Sequence, residues 1–251
     1  KAVQAEEYAV CIERAMLWTQ FSKNKNNKAK SRPVFIAEAT RHVLRNKTVE
    51  IYPAELVVGN FTAHRVGGII YPEMLGIAPM MEIFKIPTRR VNPLNIKFLD
   101  RIKLAFTIPY WLTRNTAVLA FDNNEDRARF AKEQGEALQY QLYEAGGIAH
   151  LAPGYEKIIR LGAEGIIAEV EAFEAQTNDP SKLDFYQSVK ISMNALAEFG
   201  DRYATEARRL AEAEADPQRK LDLERIAEVC ARVPRYGATS FYEAVQSMTL
   251  T

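Results

Sequence analysis

Cysteine is almost missing from this sequence: Cys11 and Cys230 stand far apart and outside any CxxC pair. That excludes a disulfide framework and a thiolate zinc cluster, and it suits a reducing compartment, which we expect to be the cytoplasm. Histidine is as scarce. His42, His64 and His150 lie far from one another, and none sits at the four-residue helical spacing that puts two imidazoles on one face, so no metal site is expected. Long apolar runs are lacking too. No window approaches the ~18 uninterrupted apolar residues of a membrane span, and the start has no apolar stretch of signal-peptide type. Charge of one sign is also missing, with Lys plus Arg at 33 and Asp plus Glu at 32. A chain so balanced has no global field to draw it to nucleic acid or anionic lipid. Lys23, Lys25, Lys28, Lys30 and Arg32 form a basic run, but they have no aromatic partners for base stacking and read as a solvated loop.

Glycine does not appear in a phosphate-binding pattern. Gly67-Gly68 and Gly146-Gly147 are isolated pairs, without a following Lys-Ser/Thr and without the three-glycine dinucleotide spacing, and are expected to be turns. No Ser stands in a GxSxG elbow. Cys230 falls on the apolar stripe of a helix, where burial keeps a thiol neutral and unreactive, and Cys11 is read in the same way.

What is present is a helix-rich globular pattern, with 47% hydrophobic and 26% charged residues. Tyr8, Ile12, Ala15 and Trp18 recur at helical steps and predict a first helix from about Val3 to Phe21; a second is expected over 33–46. Thr48 to Tyr52, Leu56 to Val58 and Ala117 to Ala120 are short β-branched or apolar runs and are expected to be strands. Between Gly67 and Thr116 five prolines interrupt any period, which predicts loop-rich packing with short helices. A helix is expected over about 125–145, and helix resumes near Tyr155. The strongest stripe is Val189, Met193, Leu196, Gly200, Tyr203, Ala207 and Leu210, a helix over about 181–215. Asp216 with Pro217 then marks a helix start, and Leu223, Ile226, Cys230 and Val233 carry the next stripe to Pro234, so the two helices form a hairpin. The last residues, Ser247 to Thr251, lie inside an apolar stretch with no breaker, and the end is expected to be a cut.

His150 stands out by position. It lies between Gly146-Gly147 and Pro153-Gly154, at a junction between helices, where a side chain can project from a held backbone. Such an imidazole could hydrogen-bond a substrate or move a proton, but on position alone it reads first as a structural histidine bonding a helix end. The aromatics Tyr71, Phe84, Tyr110 and Trp111 could line a pocket, but at loop junctions they read first as core.

Several stretches in order resemble the pyruvate formate-lyase-like domain of glycyl radical enzymes. They are Glu13-Arg14-Ala15 with Thr19, His42-Val43-Leu44, Glu55 to Asn60, Tyr71-Pro72-Glu73, and Ala149-His150 with Pro153, Tyr155, Glu156 and Lys157 running to Gly162 and Gly165-Ile166. The longest covers Arg202-Tyr203-Ala204, Arg219-Lys220, Leu223, Ile226-Ala227, Cys230, Val233-Pro234 and Ser240 to Gln246. The chain departs from the pattern at Pro33 to Arg41, which is shorter and lacks a paired arginine, and at Gly154, where the family often has an acid.

The resemblance implies an α/β, helix-rich fold, the N-terminal part of a ten-stranded α/β barrel. Residues 1–251 would be the N-terminal portion of a single domain, ending before the cysteine and glycyl radical loops. It also implies a glycyl radical lyase of dehydratase or decarboxylase type acting on a small organic substrate, oxygen-sensitive and homodimeric. A separate radical-SAM iron–sulfur activating enzyme would install the radical. Neither Cys11 nor Cys230 matches the catalytic cysteine, so no catalytic residue is expected here, while the histidine loop implies that His150 is a substrate-binding residue. A formate acetyltransferase and a non-catalytic helical scaffold are the alternative readings.

Overall fold

The computed structural model describes residues 8–27, 29–74, 80, 82–90, 93–119, 121–136 and 154–251. Two compact units emerge, one from Lys1–Thr19 with Val66–Pro153 and one from Gln20–Arg65 with Gly154–Thr251.

Of the expected opening helix, residues 3–7 lie outside the described residues, and the rest is replaced by a strand followed by a helix. Strand β1, Ala9–Cys11, leads into helix α1, Glu13–Lys23. β1 runs parallel to β2, Gly67–Ile69, with Val10 opposite Gly68. On its other edge the Val10 amide donates to Asn95 O at 2.8 Å, and the Asn95 amide to Tyr8 O at 2.7 Å. These non-local pairs overrule the helical spacing of Tyr8 and Ile12, and they make Gly67-Gly68 part of a strand instead of a turn. The bare backbone at Gly68 lets Leu94 close in: a Cβ there would lie 2.8 Å from Leu94 Cδ1. Short helices follow as the prolines predict, α3 at Phe98–Ala105 and α4 at Ile108–Trp111. The expected strand at 117–120 is instead a helical turn, α5, Thr116–Leu119. Asn115 decides it, because its side chain accepts from the Val118 amide at 3.2 Å and so starts a helix. α6, Asn124–Gly135, is entered through Asn123, whose Oδ1 takes the Asp126 amide at 2.8 Å.

The second unit is helical. α2, Arg32–Asn46, α7, Tyr155–Glu174, and α9, Pro217–Arg232, all pack on the long α8, Pro180–Ala213. α10, Phe241–Leu250, closes the set. The starts are set by side chains that accept the first free amides. Asp179 takes the Ser181 amide, Asp216 takes that of Gln218, each at 3.0 Å, and Pro180 and Pro217 occupy the first helical position. The expected stripe is buried: Leu196, Tyr203 and Ala207 of α8 meet Leu223, Ile226 and Cys230 of α9 in one core with Ile51, Val58 and Ile158.

The expected strands at 48–52 and 56–58 do not form, and both stretches are irregular. Their backbone groups are paired by side chains instead. Arg219 donates to Glu55 O at 2.7 Å and to Tyr52 O at 3.2 Å. Gln246, fully buried, accepts from the Val58 amide at 2.9 Å and donates to Val58 O at 2.7 Å, as a neighbouring strand would. Tyr203 Oη accepts the Asn60 amide at 3.0 Å, and Lys47 Nζ donates to Asn60 O.

Candidate functional site

His150 lies outside the described residues. The described residues resume at Gly154, and the first two turns of α7 follow. Ile158 enters the core of the second unit, 4% exposed, beside Val58, Phe199 and Tyr203. After Leu161 the helix breaks: Gly162 adopts φ 67°, ψ 179°. That is a conformation glycine reaches freely and other residues reach at a cost. Residues 233–238 fill the break. The Ala163 amide donates to Pro234 O at 2.8 Å, the Glu164 amide to Arg235 O at 3.0 Å, and the Ala238 amide to Ile159 O at 2.7 Å. Arg235 then ties this stretch sideways, donating to Asp201 of α8 at 2.5 Å and to Glu164 of α7 at 3.4 Å. Arg232 holds it from behind, with Nη2 on Gly237 O at 2.7 Å and Nε on Glu243 at 3.1 Å.

The other histidines are not gathered near these turns. His42 sits on α2 with its ring 5.6 Å from that of Phe21, and burial lowers its pKa, so it stays neutral. The His64 amide bonds Thr62 Oγ1 at 3.2 Å within an irregular loop. Among the described residues no three His, Cys, Asp or Glu side chains form a metal-binding group. Cys230 is buried against α8 and its thiol is pushed up to about 12 by desolvation, which removes it as a nucleophile at neutral pH. Tyr203 is pushed up to about 12 by the same burial, so its phenol remains a neutral hydrogen-bond partner. Cys11 is buried in β1.

The aromatics divide. Trp111 is core: it is 3% exposed and its indole donates to Thr19 Oγ1 at 2.8 Å, which in turn donates to Ala15 O at 2.6 Å. Tyr71 forms one side of a stack on Arg14, whose guanidinium lies 3.9 Å from the Tyr71 ring and 4.6 Å from that of Trp18. The same guanidinium grips Glu73 with two hydrogen bonds, at 3.1 and 2.5 Å. Phe84 is exposed and Tyr110 packs edge-on against Trp111. Sequence reasoning missed Arg235 and Arg232, and it named Gln246 only within the family resemblance, without its pairing with Val58. The usable signal was the glycine at 162 inside an apolar-periodic run, which costs helix stability unless another backbone needs the space.

The described residues therefore supply rigid support and neutral, buried polar groups, with no activated nucleophile among them. Comparison with known proteins assigns that scaffold. A family model described as pyruvate formate lyase-like matches residues 1–251. The isethionate sulfite-lyase of Oleidesulfovibrio alaskensis is 29% identical over 96% of this chain and 30% of its own length. The (2S)-3-sulfopropanediol dehydratase of Klebsiella oxytoca is 28% identical over 95% and 30%. A crystal structure of a glycyl radical enzyme from Archaeoglobus fulgidus superposes with a TM-score of 0.85 at 30% identity, over 99% of this chain and 32% of the other. A structure concerning 1,2-propanediol dehydration in Roseburia inulinivorans gives 0.87 at 28%, over 99% and 30%. The chain spans about 30% of the length of the curated relatives it matches, and its fold is that of their N-terminal part. The match over every residue of the chain, with the helical scaffold reproduced in three dimensions, places it in the pyruvate formate lyase-like family.

Proposed function

We propose that this chain is the N-terminal portion, within a single domain, of a glycyl radical lyase that eliminates a polar group from a small organic substrate. The observation that carries the reading is the set of named relatives: the curated ones are sulfite-lyases and dehydratases, and each aligns along nearly the whole chain. The radical chemistry, a thiyl taking a hydrogen atom from substrate carbon, belongs to residues outside this chain, in keeping with the neutral, buried Cys230. The task of this chain's own residues is to enclose and orient. A dry, close-packed wall shields a reactive intermediate from water and oxygen. Within it His150 hydrogen-bonds the substrate and assists departure of its hydroxyl or sulfonate group. The same reading carries a radical-SAM iron–sulfur activating enzyme as partner, a homodimer, and a cytoplasmic, oxygen-free setting; no described helix is long and apolar enough to cross a membrane.

The test is anaerobic activation of the full-length protein with its radical-SAM partner, followed by incubation with isethionate, sulfopropanediol, 1,2-propanediol, glycerol and hydroxyproline. A glycyl radical signal with release of sulfite or loss of water from one of them is expected. Acetyl transfer between pyruvate and coenzyme A, with no elimination, would overturn the reading in favour of a formate acetyltransferase. His150→Ala should lower turnover and leave the radical signal intact; unchanged turnover removes His150 from the mechanism.

A further inference from the structure

An apolar floor and an acidic rim meet in one groove of the second unit. It is a cavity of about 560 Å³, open to solvent and bounded by Pro53 and Ala54 on one side and by the turn between α8 and α9 on the other. Its floor is the edge of the hydrophobic core: Ile51 and Leu223 belong to that core, and Leu210 packs against it. The wall formed by residues 52–55 is held in shape before anything binds. The Tyr52 amide donates to Glu55 Oε2 at 2.9 Å and the Glu55 amide to Tyr52 O at 3.2 Å, while Ala54 takes φ 64°, a value that a residue with a Cβ adopts at a cost. A wall fixed in advance spares a partner the entropy of ordering it.

Charge selects what can enter. Glu214, Asp216 and Asp222 line the rim, and each carboxylate is steadied through one of its oxygens. Glu214 Oε1 accepts the Asp216 amide at 3.0 Å, Asp216 Oδ1 the Gln218 amide at 3.0 Å, and Asp222 Oδ1 the Gln218 side-chain amide at 3.2 Å. None of the three forms an ion pair among the described residues. Arg219, the cation on the lining, turns its guanidinium to Tyr52 O and Glu55 O instead. Three carboxylates against one guanidinium leave two negative charges in excess around an apolar floor, which repels an acidic peptide, a phosphate backbone or an anionic membrane. We propose that this groove is a docking site for a basic, apolar segment of a partner polypeptide, with a leucine-sized or aromatic side chain on Ile51, Leu210 and Leu223 and a lysine or arginine at Glu214 and Asp222. The long stem of either basic residue suits the site, since it covers apolar surface while its head reaches the carboxylates. The groove lies wholly within the second unit and does not depend on which reaction the full-length protein performs.

The experiment uses the full-length protein and two fluorescent hexapeptides, one of leucine and lysine and one with glutamate in place of lysine. The lysine peptide should bind saturably, one to one, and slow amide exchange at residues 51–54 and 210–223 while α2 stays unchanged. High salt should weaken it. Glu214→Gln combined with Asp222→Asn keeps both acceptors for the Asp216 amide and for Gln218 but removes two charges. Affinity should then fall about tenfold, the combined effect of two partly exposed ion pairs. Ala213→Arg, which puts a cation and its stem into the groove, should abolish binding; if it fails to fold, the isosteric pair decides alone. Equal affinity for the glutamate peptide, or unchanged affinity in the isosteric pair, overturns the proposal, because the peptide is then held by apolar contact alone. No binding to the wild-type protein also overturns it. Ala213→Arg then names the occupant: a lowered Tm means that another stretch of the full-length chain fills the groove, and a dimer split into monomers means that a second copy does.

Discussion

Gln246 is the sharpest place to test how this fold is held. It is fully buried, and its amide pairs both polar groups of Val58, accepting at 2.9 Å and donating at 2.7 Å. Gln246→Glu keeps the shape and changes one donor. While protonated, the new carboxyl can still accept from the Val58 amide and donate its hydroxyl to Val58 O. Once ionised it offers Val58 O only a second acceptor, at a fully buried position. Burial and this acceptor clash both disfavour the charged form, so the folded-state pKa rises above the unfolded value of about 4.3, by about 3 units for a fully buried carboxyl. A raised pKa contributes stability that is complete below the unfolded value and lost as pH climbs to the folded one. The deficit relative to wild type should therefore grow by about 1.4 kcal/mol per pH unit and level off near 4 kcal/mol above about pH 7.5.

The assay is thermal unfolding of the full-length protein and its variants from pH 5.5 to 8.5, with Gln246→Leu alongside. Leu leaves the Val58 amide and carbonyl unpaired at every pH, a cost of about 2–4 kcal/mol with no slope. Gln246→Glu should track wild type most closely at the acid end and fall away toward the alkaline end. A pH-independent difference for Gln246→Glu, or a Gln246→Leu protein as stable as wild type, would refute the claim that side-chain amide pairing holds residues 56–60 in place.

Cys230 should resist iodoacetamide at pH 8 in the native protein and react when unfolded, as read by mass spectrometry; alkylation at the rate of a free thiol would contradict the burial that pushes its pKa up to about 12. The sign of the linked effect follows: neutral Cys230 stabilises the fold fully below its unfolded pKa of about 8.5, and the contribution is lost as pH rises from there toward about 12, so Cys230→Ala should flatten the alkaline fall in Tm. Arg14→Lys keeps the charge but loses the two-pronged grip on Glu73 and the stacking between Tyr71 and Trp18. It should cost about 1–2 kcal/mol, and a Tm equal to wild type would show that the stack contributes nothing.

What could be read from residues alone divides along the range of the interactions. α8 and α9 were legible because local signals agree there: a sustained helical stripe in each, an aspartate before a proline at the start of α9, and Pro234 at its end. β1 was not, since Ala9, Val10 and Cys11 take their conformation from Gly67–Ile69 and Asn95, partners that no local window contains. The β-branched runs at 48–52 and 56–58 misled for the opposite reason. Their extended backbone is real, but Arg219 and Gln246 take the part of a neighbouring strand, and a side chain doing so leaves no period to detect. The same holds for the candidate site. His150, whose substrate role was read through resemblance to a family, lies outside the described residues, whereas the packing around the break in α7 depends on Gly162, Gly200 and Gly237, where the absence of a side chain is what the packing requires. Glycine in a helical run carries a cost with no visible local return. Here the return lies at residues 233–238, whose carbonyls and amides complete a helix some seventy positions away in the chain. Backbone paired by distant side chains and backbone paired through glycine contacts are thus two forms of one device. Each holds an irregular segment rigid without a sheet, and each puts the decisive residue far from the segment it shapes.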